Sequence, residues 1–267
     1  MRLLPVLFLF LAGCAHLRPN DPIPPHETLT INSTVLGEKR TINVSLPPGY
    51  ADSSAKFDVL YMPDGALDED FPHVVNTVNA LIARGEIQPV IVVGIPNTVR
   101  RRDLTGPTVV ESDREIAPVV GGSEKFRHFI RDELFPVIAA KYRVTDQRSI
   151  IGESLAGLFV LETMLLEPEM FSGFIAFSPS LWWNDHELVR TAEQHLGKWN
   201  ERGGSLYFTV ANEPQIRPHT AALAELLAKT QPPGLIWKYA PKPSEQHQTI
   251  FRAAKEEGLR TVLKVHP

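Results

Sequence analysis

Ile150-Ile151-Gly152-Glu153-Ser154-Leu155-Ala156-Gly157 joins a short β-branched run to residues 158–166, which are apolar on nearly every face. An unalternating apolar run that stops at glycine and is followed by a helix-length apolar segment reads as a buried strand turning at once into a buried helix. The serine stands in the turn. A turn that sharp crowds the residues two before and two after it, and Gly152 and Ala156 are the small residues at those places. The common pattern is G-x-S-x-G; here alanine replaces the second glycine and Gly157 comes one position later. Such an elbow lifts the serine oxygen above the sheet, which makes Ser154 the candidate nucleophile. The competing role for a serine at this place is to cap the helix.

Outward from this junction, strand-like runs recur at Phe57–Met62, Val90–Val93, Ser149–Gly152, Gly173–Phe177, Leu206–Val210 and Ile236–Tyr239. Between them lie segments with helical periodicity: Val74–Ala83, Glu124–Tyr142, Leu155–Leu166, His186–Trp199, Thr220–Lys229 and Ile250–Leu263. Alternating strand and helix predict an α/β domain with a mainly parallel central sheet and helices on both faces. Upstream, Thr28–Ser33 and Thr41–Leu46 flank Gly37-Glu38-Lys39 and read as an antiparallel N-terminal hairpin. In an open sheet of this kind ligands bind beyond the carboxyl ends of the strands, so the strand-to-helix loops carry the functional weight.

A serine needs a base to take its proton, and the base needs an acid to orient it. His247, in Pro243-Ser244-Glu245-Gln246-His247-Gln248 between the last strand and the last helix, is the candidate base. Glu213 follows the Leu206–Val210 run directly and is the best-placed acid, with Glu245 and Asp185 as competitors that chain order does not exclude. An oxyanion requires preorganised N–H donors. The Leu155 amide is one candidate, and the loop Pro63-Asp64-Gly65-Ala66 offers the Ala66 amide as the second.

The N-terminus tells a separate story. Met1-Arg2 precedes a Leu3–Gly13 run broken only by Pro5; as a helix that run covers about 16 Å, half of a hydrocarbon core, so it reads as a signal peptide over residues 1–13. It ends in Leu11-Ala12-Gly13-Cys14, which resembles the lipobox of bacterial lipoproteins, where the cysteine thiol carries lipid. Cys14 is the chain's single cysteine, so an intramolecular disulfide and CxxC-type metal sites are excluded, and lipidation would consume a thiol otherwise unpaired in an oxidising envelope. The same resemblance implies an outer-membrane lipoprotein, because Ala15 follows the cysteine in place of the Asp associated with inner-membrane retention. Residues 14–26, with Pro19, Pro22, Pro24 and Pro25, are expected to be a solvated tether, and residues 27–267 one domain. With 43% apolar residues among 267 that domain can bury a full core, and a net charge of −4 offers no field for a nucleic-acid partner.

Val59-Leu60-Tyr61-Met62-Pro63-Asp64-Gly65, Val93-Gly94-Ile95-Pro96-Asn97 with Arg102-Asp103-Leu104-Thr105, the Ser154 elbow, Ser178-Pro179-Ser180-Leu181-Trp182-Trp183 and the His247 loop together resemble the putative esterase (esterase D) family, especially its ferric-enterobactin-esterase-like branch. The resemblance covers residues 27–263 and implies an α/β-hydrolase that uses serine, histidine and usually a carboxylate on carboxylic esters, catecholate-siderophore lactones among them. Glu153 departs from the family's frequent histidine and Gln248 from its frequent glycine, which bears on substrate identity. The resemblance also brings the Arg100-Arg101-Arg102 run and Trp182-Trp183 to the site, where Arg102, Trp182 and Trp183 are candidates for binding an aryl or anionic ester. No HExxH, Walker A or GxGxxG pattern is present, so no metal or nucleotide cofactor is indicated. The expected function is a serine carboxylesterase of the cell envelope, acting on a small-molecule ester; the alternatives are a catalytically silent binding lipoprotein and an acyltransferase on the same fold.

Overall fold

The computed structural model describes residues 21–197, 199 and 203–264. Cys14 and the signal segment lie outside the described residues. The chain runs β1 (Glu27–Ser33), β2 (Glu38–Ser45), β3 (Phe57–Pro63), α1 (Phe71–Ala83), β4 (Val90–Ile95), then two short helices, α2 (Arg100–Leu104) and α3 (Glu111–Ile116). It continues with α4 (Ser123–Phe129), a π turn over Ile130–Leu134, α5 (Phe135–Lys141), β5 (Val144–Glu153), α6 (Leu155–Leu166) and β6 (Gly173–Phe177). Last come α7 (Trp183–Leu196), β7 (Gly204–Thr209), α8 (Arg217–Thr230), β8 (Leu235–Tyr239) and α9 (His247–Val262).

The eight strands form one sheet in the order β1-β2-β4-β3-β5-β6-β7-β8. From β4 to β8 every pairing is parallel, whereas β1–β2 and β2–β4 are antiparallel. This is the expected α/β arrangement with its N-terminal hairpin, although the turn sits at residues 34–37 and Glu38 already pairs with Ser33. Because strand side chains alternate, each central strand feeds two cores. Tyr61, Val93, Ile150, Phe174 and Phe208 face α4 to α8, while Leu60, Val92, Ile151, Ile175 and Tyr207 face α1 and α9. That explains why these strands showed no polar alternation. In α6, which carries the elbow, ten of twelve residues are buried.

The predicted Glu124–Tyr142 helix is interrupted. Pro136 has no N–H to offer the carbonyl one turn back, and the backbone passes through the π turn just before it. The tether expectation also needs correction at its C-terminal end. Asp21 is ion-paired with Arg252, Asn76 Nδ2 donates to the Pro22 carbonyl at 2.7 Å, and Ser45 Oγ donates to the Pro25 carbonyl at 3.0 Å. Residues 21–26 therefore lie along the domain. Arg40, fully buried, donates to Asp103 Oδ2 at 2.6 Å and lies over the Phe126 and Phe129 rings, tying the hairpin to α2.

Candidate active site

Ser154 adopts φ 58°, ψ −118°, a left-handed-side conformation that costs a non-glycine residue roughly 1–3 kcal/mol and persists only when its surroundings impose it. They do. The Ser154 N–H donates to the Phe177 carbonyl at the end of β6 at 2.9 Å, and its carbonyl accepts from the Ser180 and Leu158 amides at 3.0 and 2.9 Å. A Cβ on Gly152 would stand 2.7 Å from the carbonyl carbon and Cβ of Ala156, so the glycine is required by close approach rather than by torsion. The hydroxyl is half-buried, and its Oγ is 3.3 Å from Ser180 Oγ. Leu155, the first residue of α6, has an N–H without an intrahelical partner, as helix geometry demands.

β6 and β7 follow β5 in the sheet, so their loops open beside the elbow. Glu213, 5% exposed, lies in the loop after β7 and accepts from His247 Nδ1 at 2.5 Å. Its other oxygen accepts from the Ser178 hydroxyl. Ser178 is fully buried with φ 37°, and its backbone N–H donates to Thr209 at 2.9 Å. The loop after β6 thus spans the gap: Ser180 touches the elbow serine and Ser178 holds the acid. This role went unread in the sequence, where the only signal was two serines closing a buried strand.

His247 is not in a free loop but is the first residue of α9, fixed by a reciprocal cap between Gln246 and Thr249. The competing acids are placed elsewhere. Glu245 accepts from Thr249 Oγ1 at 2.6 Å, and exposed Asp185 pairs with His186 and Arg190 at 3.2 and 3.6 Å.

The remaining site candidates divide. Arg102 turns from the site: its guanidinium pairs with Glu38 at 2.8 Å and Asp103 at 2.7 Å, because a short helix sends positions 100 and 102 to different sides. Arg100 takes the inward place, gripping Asp64 through Nε and Nη2, each at 2.7 Å. Burial works against the Arg100 charge, but Asp64 outweighs it and holds that charge more firmly than usual. Trp183 is buried, with Nε1 donating to the Gly106 carbonyl at 3.0 Å, so it anchors the wall, while Trp182 remains half-exposed beside it. The Ala66 amide, expected as an oxyanion donor, is engaged by Glu69 Oε2 at 2.9 Å, and Asn97 Nδ2 holds the other Glu69 oxygen at 2.6 Å. Burial, with the nearby Asp64 charge, raises the Glu69 pKa against these hydrogen bonds. Among the described residues no group of three His, Cys, Asp or Glu side chains is arranged to hold a metal.

A sheet with β3 and β4 exchanged in order, a strained serine at the end of its central β5 strand and an acid–histidine pair on the following strand ends define the α/β-hydrolase class. The model of the family described as "Putative esterase" matches residues 33–246, and the chain belongs to that family and is an esterase. It is 26% identical over 269 residues to the Ferri-bacillibactin esterase BesA of Bacillus subtilis, covering 92% of this chain and 91% of that protein. The Iron(III) salmochelin esterase of Escherichia coli O6:H1 is 28% identical over 169 residues, 61% of this chain but 38% of that one. Among solved structures, an IroE-like serine hydrolase from Shewanella oneidensis superposes with a TM-score of 0.82 at 29% identity, over 90% of this chain and 80% of its own.

Proposed function

We propose that this chain is a serine carboxylic-ester hydrolase that works through an acyl-enzyme on siderophore-type or related aryl esters at the cell envelope. The observation that carries the reading is the strained Ser154 elbow, linked through the Ser178–Ser180 loop to a Glu213–His247 pair held at 2.5 Å. In this mechanism His247 Nε2 takes the Ser154 proton as Oγ attacks the ester carbonyl. The Leu155 amide, at the positive end of α6, donates to the developing oxyanion. Collapse breaks the C–O bond of the ester, and the alcohol leaves with the proton from His247. Water, deprotonated by the same histidine, then cleaves the acyl-serine and returns the enzyme. Glu213 keeps Nδ1 protonated and stabilises the imidazolium in both halves. The names of the relatives favour siderophore-type substrates, and half-exposed Trp182 supplies an aromatic surface for an aryl acid. The lipobox-like Leu11-Ala12-Gly13-Cys14 supports a lipid anchor, which would place the site at the outer membrane facing the periplasm.

The test is Ser154→Ala with a fluorophosphonate probe. The native chain should hydrolyse p-nitrophenyl acetate and take one label at Ser154, and the variant should lose both while keeping its melting temperature. Turnover that survives in the variant would remove serine from the mechanism.

A further inference from the structure

Ser180 carries a hydroxyl that the mechanism above does not use. It lies in the loop after β6, 2% exposed, with its Oγ 3.3 Å from the Oγ of the nucleophile. Among the described residues this contact is the one hydrogen bond that either hydroxyl makes. The main chain ties the same two residues, for the Ser180 N–H donates to the Ser154 carbonyl at 3.0 Å, and the Ser180 carbonyl accepts from the Trp183 amide at 3.2 Å. Trp183 is itself anchored through its indole on Gly106. The loop also presses on α6: a Cβ on Gly157 would stand 3.2 Å from Pro179 Cα, so the glycine permits the approach. Ser180 Oγ is therefore fixed before any substrate arrives.

Burial decides which hydroxyl donates. A buried O–H left without an acceptor is costly, and among the described residues the Ser180 proton has no acceptor other than Ser154 Oγ. Ser154 is half-buried at the open elbow, so its own proton is left for the base. The 3.3 Å separation is long for two neutral hydroxyls, which usually stand about 2.7–2.8 Å apart, whereas a hydroxyl donating to a charged oxygen closes to about 2.5–2.7 Å. The bond is weak in the resting enzyme and strengthens as Oγ acquires negative charge, and only an interaction of that kind lowers a barrier.

We propose that Ser180 is a catalytic residue whose hydroxyl donates to Ser154 Oγ and stabilises that oxygen as it leaves the acyl group. This rests on the ester-hydrolase reading above and adds a residue to its second half. Once water, deprotonated by His247, has added to the acyl carbonyl, the C–Oγ bond breaks with its electron pair staying on Oγ. Oγ then takes the proton held by His247, and Ser180 keeps its own throughout. The ester oxygen of an acyl-serine is a poor acceptor, because its lone pair is shared with the carbonyl, so almost all of the bond is gained during departure. Free Ser154 already accepts part of it, and attack gains less.

The experiment follows p-nitrophenyl acetate hydrolysis by the full native chain, Ser180→Ala and Ser180→Cys, with acid quenching in the steady state and mass spectrometry of the fraction acetylated on Ser154. At saturating ester the deacylation rate constant is kcat divided by that fraction, while kcat/KM reports acylation. In Ser180→Ala deacylation should slow at least about tenfold, with kcat/KM falling no more than about threefold and the melting temperature kept. Ser180→Cys, close in size and a weaker donor, should lie between the two, and its comparison with the native chain carries the test if the alanine variant does not fold. Unchanged deacylation overturns the proposal while the hydrolase reading stands, and so do equal losses in both steps, which an oxyanion donor or a displaced loop would give. Turnover with no acetyl on Ser154 in any of the three chains overturns it too. Absence of turnover by the native chain overturns the hydrolase reading instead, and the role of Ser180 falls with it.

Discussion

Glu213→Gln conserves volume and removes one charge from a buried position, so its effect can be worked from the geometry. The acid is 5% exposed, and one oxygen is 2.5 Å from His247 Nδ1. In the resting enzyme, with a neutral imidazole, the glutamine oxygen can still accept from Nδ1. The difference appears when the Ser154 proton reaches the ring, because the imidazolium then faces an amide and not a carboxylate. With charge centres about 4 Å apart and an effective dielectric near 20, that attraction is worth about 4 kcal/mol, or about a thousandfold in rate. The His247 side chain is 35% exposed, so solvent screens part of the attraction and a loss of about 100- to 1000-fold is expected. The loss should fall on kcat, leaving KM within about twofold, since the interaction is absent from the ground state. The assay is steady-state hydrolysis of p-nitrophenyl acetate beside a thermal melt, with Glu245→Gln as the comparison. Glu245 accepts from the Thr249 hydroxyl and not from His247, so this change should cost little. A loss under tenfold in Glu213→Gln would refute the reasoning, and a larger loss in Glu245→Gln would move the acid to that residue.

Gly152→Ala would place a methyl 2.7 Å from the Ala156 carbonyl carbon; calorimetry should show about 1–3 kcal/mol lost, and adding Ala156→Gly should recover only part, because the clash is with backbone too. Arg102→Ala should lower the melting temperature and leave KM for aryl esters unchanged, given its pairing with Glu38 and Asp103; a tenfold rise in KM would return Arg102 to the site. Arg102 foremost, with Thr98 and Arg40, holds the Glu38 carboxyl down to about 2 against burial, so its contribution to stability is full above the unfolded value near 4.5 and fades as pH falls toward 2. Glu38→Gln should therefore cost about 1 kcal/mol at neutral pH, allowing for solvent screening, and the gap between the two melting curves should close across that acidic window. Cys14→Ser should release the protein from membranes or leave it unprocessed, because anchoring requires acyl chains at about 0.8 kcal/mol per buried CH₂; mass spectrometry of a membrane-bound chain with a free Cys14 thiol would contradict this.

What could be read from the sequence was what short-range pattern determines. Gly152 and Ala156 around Ser154 announced the elbow, because that turn is made from neighbours in the chain and its crowding has a local residue signature. The unalternating runs at β4 and β6 announced strands covered on both faces, since period-two alternation vanishes only when neither face meets water. The α2 and α3 helices went unread, being too short to display a period. Which side chains meet was decided by tertiary structure. Glu213, Glu245 and Asp185 were equivalent in order along the chain, and only the adjacency of β5, β6 and β7 brings Ser154, Ser178 and Glu213 to one edge. Arg100 and Arg102 read as one basic run, yet the turn of α2 gives one to Asp64 and the other to Glu38. The Ala66 amide was assigned by chain position and the Trp183 ring by resemblance, but Glu69 and the Gly106 carbonyl engage them. The physical reason is one of range: torsional and hydrophobic periodicity is written over a few residues, whereas a hydrogen bond across 34 or more positions depends on strand order and helix rotation, which the whole core sets at once.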